Sequence, residues 1–177
     1  MRLNIPRVRF FAGIFLSIPL LWACNPTFNW RDVRPDGMRL AFLMPCKPVT
    51  ANKTVQMAGQ TAELVLLSCD AGGVTFAVAA ANVTDASKAQ AAMNQWRVAT
   101  LANMKAASTA PGASLKLAGA LNNTQVAKAV GQRSSGQAVT SHAAYFAQGS
   151  QVYQAVQYGD AITLDVVDTF FSSLKFE

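Results

Sequence analysis

The single histidine, His142, is the first residue to test for chemistry, because a histidine near a serine and a carboxylate can activate a nucleophile. Ser141 precedes it, and Asp160, Asp165 and Asp168 follow it in the chain. Adjacent residues on a strand point to opposite faces of a sheet, so Ser141 and His142 are not expected to pair. The chain also has no Gly-x-Ser-x-Gly segment to expose a serine. We therefore expect His142 to be a half-exposed strand residue, and the protein not to be an enzyme.

Other residue patterns that carry chemistry are weak. Glycoside chemistry needs two positioned acids, but Glu63 and Glu177 are the only glutamates, and the aspartates lie mostly near predicted turns and helix starts. No Lys-Ser or Lys-Thr follows Gly72-Gly73, so this pair predicts a hairpin turn and not a phosphate loop. With one histidine and three cysteines, a tetrahedral zinc site lacks its usual ligands. We expect no metal and no cofactor.

The N-terminal segment carries the most specific pattern in the sequence. Three arginines within the first nine residues precede an apolar run over 10–23, which closes in Leu-Trp-Ala-Cys at 21–24. The run has about 14 residues, fewer than the roughly 20 that span a bilayer, and Pro19 interrupts it. This order is typical of a secretory signal, and its end resembles the lipobox of bacterial lipoproteins. Trp22 is bulkier than the usual residue at its position, whereas the other three positions fit.

The resemblance to lipoproteins implies a cellular location. It makes 1–23 a cleaved signal peptide, Cys24 the lipidated first residue of the mature protein and 24–29 a short tether. Asn25 stands where an aspartate commonly retains lipoproteins in the inner membrane, so we expect a lipid-anchored protein of the cell envelope, in the outer membrane rather than the inner membrane and facing the periplasm. An uncleaved membrane anchor and a signal without lipidation remain alternatives.

The lipobox also determines which cysteines remain available for a disulfide. With Cys24 lipidated, Cys46 and Cys69 are left as an even pair, which in an oxidising compartment predicts a disulfide. In the chain-entropy treatment, a bridge across so short a loop stabilises the fold by roughly 3–4 kcal/mol. A reactive thiol and a metal ligand are the alternatives.

Charge argues against a nucleic-acid partner. The formal net charge of +6 includes the three arginines of the signal peptide, and removing them leaves about +3. The nearest approach to a basic block is Arg31, Arg34 and Arg39, which apolar and acidic residues separate. Nucleic-acid binding needs a denser basic patch. The expected partners are the membrane, through Cys24, and an unidentified envelope protein.

Hydrophobic periodicity predicts strands, then a helix, then strands and a final helix. Alternation over 39–44 ends at Pro45, and Gly72-Gly73 separate the runs 61–68 and 74–83. Apolar residues three and four apart then predict an amphipathic helix over 86–107, and a second one over 162–173 with a stripe from Leu164 to Leu174. The remaining predicted strands are 30–33, 54–57, 125–132, 137–147 and 151–158. The segment 108–123 is expected to be a loop with a short strand.

These elements predict an α+β fold, an antiparallel sheet with two packed helices in a single domain over 30–177. Four segments resemble those of a set of uncharacterised bacterial envelope lipoproteins. They are Phe42–Pro48, Gly72–Val78, Gln151–Val156 and the closing Phe170–Leu174. The order of elements also resembles the PsbP-like α/β/α sandwich. Neither likeness supplies catalytic residues.

Aromatic residues offer candidate contacts. Most lie on stripes that periodicity assigns to the core, but Trp30, Tyr145 and Tyr153 are candidates for an interaction face. Tyr145 and Tyr153 are expected to be cross-strand partners.

Three functions follow as hypotheses. The first is a lipid-anchored, non-enzymatic accessory or protein-interaction domain, because the anchor is specific and catalytic groups are lacking. The second is a module that binds a small ligand in a cleft between the sheet and a helix. The third, a hydrolase, would require a deep polar pocket around His142.

Overall fold

The fold is α+β, as predicted, and contains two antiparallel sheets and two helices. The computed structural model describes residues 26–112, 115–121 and 124–177. The predicted signal peptide and Cys24 lie outside the described residues. The strands are β1 (Arg31–Val33), β2 (Leu40–Met44), β3 (Val49–Met57), β4 (Gln60–Ala71), β5 (Val74–Asn82), β6 (Ser108–Pro111), β7 (Gln125–Gln132), β8 (Ala138–Gln148), β9 (Gln151–Gly159) and β10 (Lys175–Phe176), and the helices are α1 (Ala89–Asn103) and α2 (Leu164–Ser172).

A seven-stranded antiparallel sheet forms the centre of the domain, in the order β3-β4-β5-β9-β8-β7-β6. The predicted hairpin turn between β4 and β5 is confirmed, and it consists of Gly72 and Gly73. Both have a positive φ, of 59° and 75°. Two residues with positive φ form the turn whose twist matches paired strands, which explains why glycine occupies both positions.

The central sheet is covered on both faces. On one face, Phe76, Phe146 and Tyr153 pack with Val167 and Phe170 of α2. On the other face, Tyr145 and Val156 pack with Ala89, Ala92 and Met93 of α1. The helices therefore lie on opposite sides of the sheet, in an α/β/α arrangement of layers. The likeness to the PsbP-like family itself stays a prediction.

A small sheet, in the order β1-β2-β10, shares the layer of α2. Leu40, Phe42 and Met44 of β2 belong to the same core as α2. The Phe176 ring of β10 lies 5.5 Å from the Tyr153 ring, centroid to centroid. The C-terminal strand therefore closes the core next to α2.

The predicted helices are shorter in the structure than in the sequence analysis. Residues 86–88 form a single turn of 3₁₀ helix, and α1 ends before Lys105, whose φ is +48°. The predicted stripe of α2 is wrong at Leu164, which is 73% exposed at the first helical position, whereas Val167 and Phe170 are buried. Leu164 therefore does not belong to the buried face of α2, which Val167 and Phe170 form.

Two strands, β3 and β10, were predicted only in part or not at all, and both for one physical reason. β3 begins at Val49 and not at residue 54, and most of its residues are exposed because it is an edge strand. β10 was not predicted at all. Neither strand has the alternation of buried and exposed residues from which strands are predicted. The short strand expected within 108–123 is β6.

The predicted disulfide between Cys46 and Cys69 is confirmed, with a Cα–Cα distance of 6.0 Å. Cys46 follows β2 and Cys69 lies in β4, so the bridge connects the small sheet to the central sheet. Within the residues that the structure describes, no helix is long and apolar enough to cross a membrane.

Candidate functional site

Strand register places three polar side chains in one row on the face that α2 covers. His142 of β8 is directly opposite Gln157 of β9, and on its other side opposite Lys128 of β7. Side chains in such cross-strand positions are about 5 Å apart at Cβ, so the three groups are immediate neighbours. Gln157 is in turn opposite Phe76, which belongs to the α2 core. The row therefore runs from the buried core toward the exposed edge of the sheet.

Next to this row is a cleft between the central sheet and α2, with a volume of about 350 Å³. This volume lies at the lower end of the range for small-molecule sites, about 300–1,000 Å³. The apolar part of its wall consists of Leu115, Val126, Val167 and Phe171. The polar part consists of Lys116, His142, Asp168 and Ser172. We call this cavity the α2 cleft.

His142 is half-buried in the wall of the α2 cleft. Burial lowers its pKa, because a charged imidazolium loses solvation there, and the positive charge of Lys128 lowers it further. The neutral imidazole is therefore the predominant form at pH 7. A neutral imidazole has one nitrogen that donates and one that accepts a hydrogen bond, which suits it to orient a polar group of a ligand.

Gln157 connects the row to the start of α2. Its side chain is fully buried, at 0% exposure, and Nε2 donates a hydrogen bond of 3.0 Å to the carbonyl of Val166. Its Oε1 is buried and accepts no hydrogen bond from any described residue. Val166 precedes Val167, which lines the cleft, so Gln157 holds this wall of the cleft in place.

The cleft holds one cation and one anion from the chain, Lys116 and Asp168, and Lys128 lies beside His142. Within the described residues, no hydrogen bond to a serine or a carboxylate affects the pKa of His142, and no three His, Cys, Asp or Glu side chains are grouped as metal ligands. The arrangement suits binding of a molecule with an apolar body and a polar end. The predicted separation of Ser141 and His142 is confirmed, because Ser141 lies on the α1 face beside Ala143 and His142 on the α2 face beside Ala144.

A second cavity, of about 380 Å³, lies under the C-terminal half of α1. Gln154 is buried there, and its Nε2 donates hydrogen bonds of 3.0 Å to Thr100 Oγ1 and to the Tyr145 hydroxyl. Burial raises the pKa of Tyr158 well above its usual value, so its hydroxyl stays protonated. Arg133 closes the rim, where its guanidinium lies 3.6 Å from Asp160. The hydrogen bond between Gln154 and Thr100 joins two of the polar side chains that line this cavity.

The predicted interaction aromatics do not form one surface. Tyr145 is 1% exposed in the α1 core, and Tyr153 is fully buried in the α2 core. Their predicted cross-strand pairing is wrong, since Tyr145 is opposite Gln154 and Tyr153 is opposite Phe146. A shift of one residue in register moves a side chain to the other face, and the tight turn between β8 and β9 sets that register.

The third aromatic, Trp30, packs at the N-terminal edge of the α2 core. Its ring stacks on Phe28 at 5.9 Å and meets the ring of Phe76 edge-on at 5.7 Å. Phe28 and Asn29, which the sequence analysis assigns to the tether, thus contact the domain.

Four residues of the site were not predicted from the sequence, namely Lys116, Lys128, Gln157 and Ser172, and Asp168 was predicted only as a possible member of a triad. The positions of Lys128 and Gln157 opposite His142 could have been predicted from the turns that connect their strands. Given the turn at 149–150, residue 157 falls opposite 142, and a similar count through the turn at 134–136 places 128 on its other side. Nothing in the sequence brings α2 or Lys116 to this row.

No protein-family model matches the chain, and no curated protein sequence matches it.

Proposed function

We propose that the protein is a lipid-anchored, non-enzymatic binding domain of the cell envelope, and that it binds a small amphipathic molecule in the α2 cleft. The observation that carries this proposal is the composition of the cleft wall. Four apolar side chains form one part of it, and His142, Lys116, Asp168 and Ser172 supply a few polar groups. Ligand pockets typically combine a mostly apolar wall with a small number of polar groups that orient the ligand.

Charge favours an acidic group at the polar end of this ligand. Lys116 lines the cleft and Lys128 flanks His142, whereas Asp168 is the one acidic residue in the described wall. Because the pKa of His142 is lowered, the imidazole adds little charge at pH 7. The chain therefore contributes a small excess of positive charge near the cleft, at which an exposed carboxylate or phosphate gains on the order of 1 kcal/mol or less.

The proposed location rests on the lipobox at 21–24, which lies outside the described residues. It is tested by metabolic labelling with a fatty-acid probe in the bacterium that encodes the protein. We expect the wild type to be labelled and the Cys24→Ser variant not to be labelled. Labelling of both would mean that Cys24 is not the site of lipidation.

The proposed ligand is tested by native mass spectrometry of the detergent-extracted protein. We expect a small molecule to co-purify with the native protein and to be displaced by decanoate, a medium-chain carboxylate. If the protein carries no bound molecule and binds neither decanoate nor decylamine at millimolar concentration, ligand binding in this cleft is wrong.

A second candidate function, an accessory domain for another envelope protein, is favoured by the edge of the central sheet. β3 has nine residues, and Val49 at its start is 71% exposed. An exposed edge strand offers unpaired backbone groups to a strand of a partner. A photo-crosslinker at Asn52, in the middle of β3, should capture a protein partner in cells, whereas one at the exposed Asn94 on α1 should not. Equal capture at both positions would argue against docking at this edge.

A further inference from the structure

The N-terminal residues of the described chain are packed against one end of the central sheet. The Phe28 ring stacks on Trp30, and it meets the Phe76 ring edge-on at a centroid distance of 6.2 Å. The backbone N–H of Asn29 donates a hydrogen bond of 2.8 Å to the carbonyl of Pro45. The chain is therefore part of the domain from Phe28 onward.

The glycine turn between β4 and β5 is the part of the central sheet against which Thr27 and Phe28 lie. A Cβ atom at Gly72 would lie 2.5 Å from the Phe28 ring and 3.1 Å from the side-chain methyl carbon of Thr27. Only a residue without a side chain lets Thr27 and Phe28 lie this close to the turn. Pro26, which precedes them, is exposed.

The length of chain between Phe28 and the predicted lipid is short. Four peptide steps separate Cys24 from Phe28, and a fully extended chain of that length reaches about 14 Å. A domain of about 150 residues has a radius of gyration of about 15 Å, so the tether is no longer than the domain's own radius. A chain this short does not let the domain turn over on the membrane surface.

From these contacts we infer that the lipidated protein has a fixed orientation, in which the end of the central sheet that carries Gly72-Gly73 faces the lipid headgroups. The inference rests on the lipidation of Cys24 that is part of the proposed function. The same end carries the connection from β9 to α2, because a Cβ atom at Gly159 would lie 3.4 Å from the Gly73 carbonyl oxygen. The opposite end carries the turn between β8 and β9, where Val83 donates a 2.9 Å hydrogen bond to Ser150.

This orientation restricts where partners and ligands can be. The nine residues of β5 run between the two ends of the sheet, and they separate these ends by about 27 Å. The far end and the β3 edge stay within a few nanometres of the bilayer. The protein thus meets molecules that are in the membrane or close to its surface, and a ligand that leaves the bilayer reaches the domain without crossing the periplasm.

The orientation is tested with two matched alanine-to-cysteine variants of the full lipidated protein. Ala161→Cys places a fluorophore at the end with the glycine turn, and Ala86→Cys places the same fluorophore at the far end; both alanines are exposed. The proteins are reconstituted in phosphatidylethanolamine–phosphatidylglycerol vesicles that contain a lipid with a nitroxide on its headgroup. We expect at least threefold stronger quenching at residue 161 than at residue 86.

A longer tether provides the control. Ten inserted Gly-Ser residues between Asn25 and Pro26 should reduce the difference between the two positions, because the domain can then turn over. The intact mass of each protein shows independently whether the lipid is present. Equal quenching at 161 and 86 in a protein of lipidated mass would overturn the orientation alone. Absence of the lipid mass would overturn the anchor and the orientation together.

Discussion

His142 lies directly opposite Gln157 across the ladder between β8 and β9, on the face that α2 covers. Gln157 is fully buried and donates a hydrogen bond to the carbonyl of Val166, whereas His142 is half-buried in the wall of the α2 cleft. The pair thus marks the boundary between the α2 core and a space open to a ligand. Because His142 is the only histidine, it also reports on this space without spectral overlap.

The pKa of His142 should lie below the ordinary histidine value of about 6.5, because burial and Lys128 both disfavour the imidazolium. Lys128→Gln should raise this pKa but leave it below 6.5, since the larger effect, burial, remains. An NMR titration of the single imidazole Cε1–H signal measures it. Lys53→Gln, on the distant strand β3, is the control and should leave the pKa unchanged.

The direction of this pKa shift also fixes how stability depends on pH. The unfolded chain binds a proton at His142 at higher pH than the folded chain, so stability is lost as pH falls below about 6.5. His142→Gln should remove this part of the pH dependence of the melting temperature. A pKa above 6.5, or a His142→Gln variant with an unchanged pH profile between pH 7 and 5, would contradict the burial of the imidazole.

The disulfide, which connects the two sheets, should contribute substantially to stability because it closes a loop in the unfolded chain and so lowers that chain's entropy. We expect the double variant Cys46→Ala, Cys69→Ala to lose about 3–4 kcal/mol of unfolding free energy, the value for a loop of this length. Changing both cysteines avoids a free thiol that could react. Urea unfolding with and without a reducing agent measures the effect. Wild-type protein whose midpoint is unaffected by the reducing agent would show that the bridge does not form in solution.

The contact between Phe28 and Gly72 can be isolated with two neighbouring glycines. Gly72→Ala and Gly73→Ala both force alanine to a positive φ, which costs about 1–2 kcal/mol. Only at Gly72 does the new Cβ also meet the Phe28 ring, whereas nothing lies within 4 Å of the Cβ position at Gly73. Gly72→Ala should therefore be the more destabilising change in urea unfolding.

A double-mutant cycle is completed by comparing Gly72→Ala with Gly73→Ala in a protein that also carries Phe28→Ala. There the difference between the two glycine variants should shrink, because the ring that the Cβ meets is gone. If the two glycine variants are equally stable with Phe28 present, the N-terminal segment is not packed on the turn.

Charge in the α2 cleft predicts a preference among ligands. Asp168→Asn should strengthen decanoate binding about two- to fivefold at low salt, since removal of one exposed like charge is worth up to about 1 kcal/mol. Asp165→Asn, on the same helix but outside the cleft wall, should have a smaller effect. Lys116→Gln should weaken binding. Isothermal titration calorimetry measures all three, and tighter binding of decylamine than of decanoate would contradict the proposed anionic end.

Much of the fold could be predicted where one side of an element is buried. The run at 74–83 and the strand at 151–158 agree with β5 and β9 to within one residue, because apolar side chains and glycine turns define them. Prediction failed where burial did not contribute: β3 is exposed along most of its length, and β10 has two residues. The end of α1 was placed too late because the residues after Asn103 remain helix formers, although Lys105 adopts a positive φ.

The site was less predictable than the fold. From the sequence, His142 and Asp168 were site candidates only as parts of a triad, and Tyr145 and Tyr153 were expected to be partners on one face. The missing information was the register of β8 against β9, since a difference of one residue decides which side chains share a face. The position of α2 over His142 depends on packing of Val167 and Phe170, and no local pattern near residue 142 encodes it.

The α2 cleft is tested most directly by filling it with an indole side chain. Asp168→Trp and Asp165→Trp each remove one exposed carboxylate from α2 and add the same ring, but only residue 168 lines the cleft. We expect calorimetry to show that Asp168→Trp weakens decanoate binding at least tenfold, whereas Asp165→Trp binds within twofold of the wild type. Equal binding by both variants, at unchanged melting temperature, would show that the α2 cleft is not the ligand site.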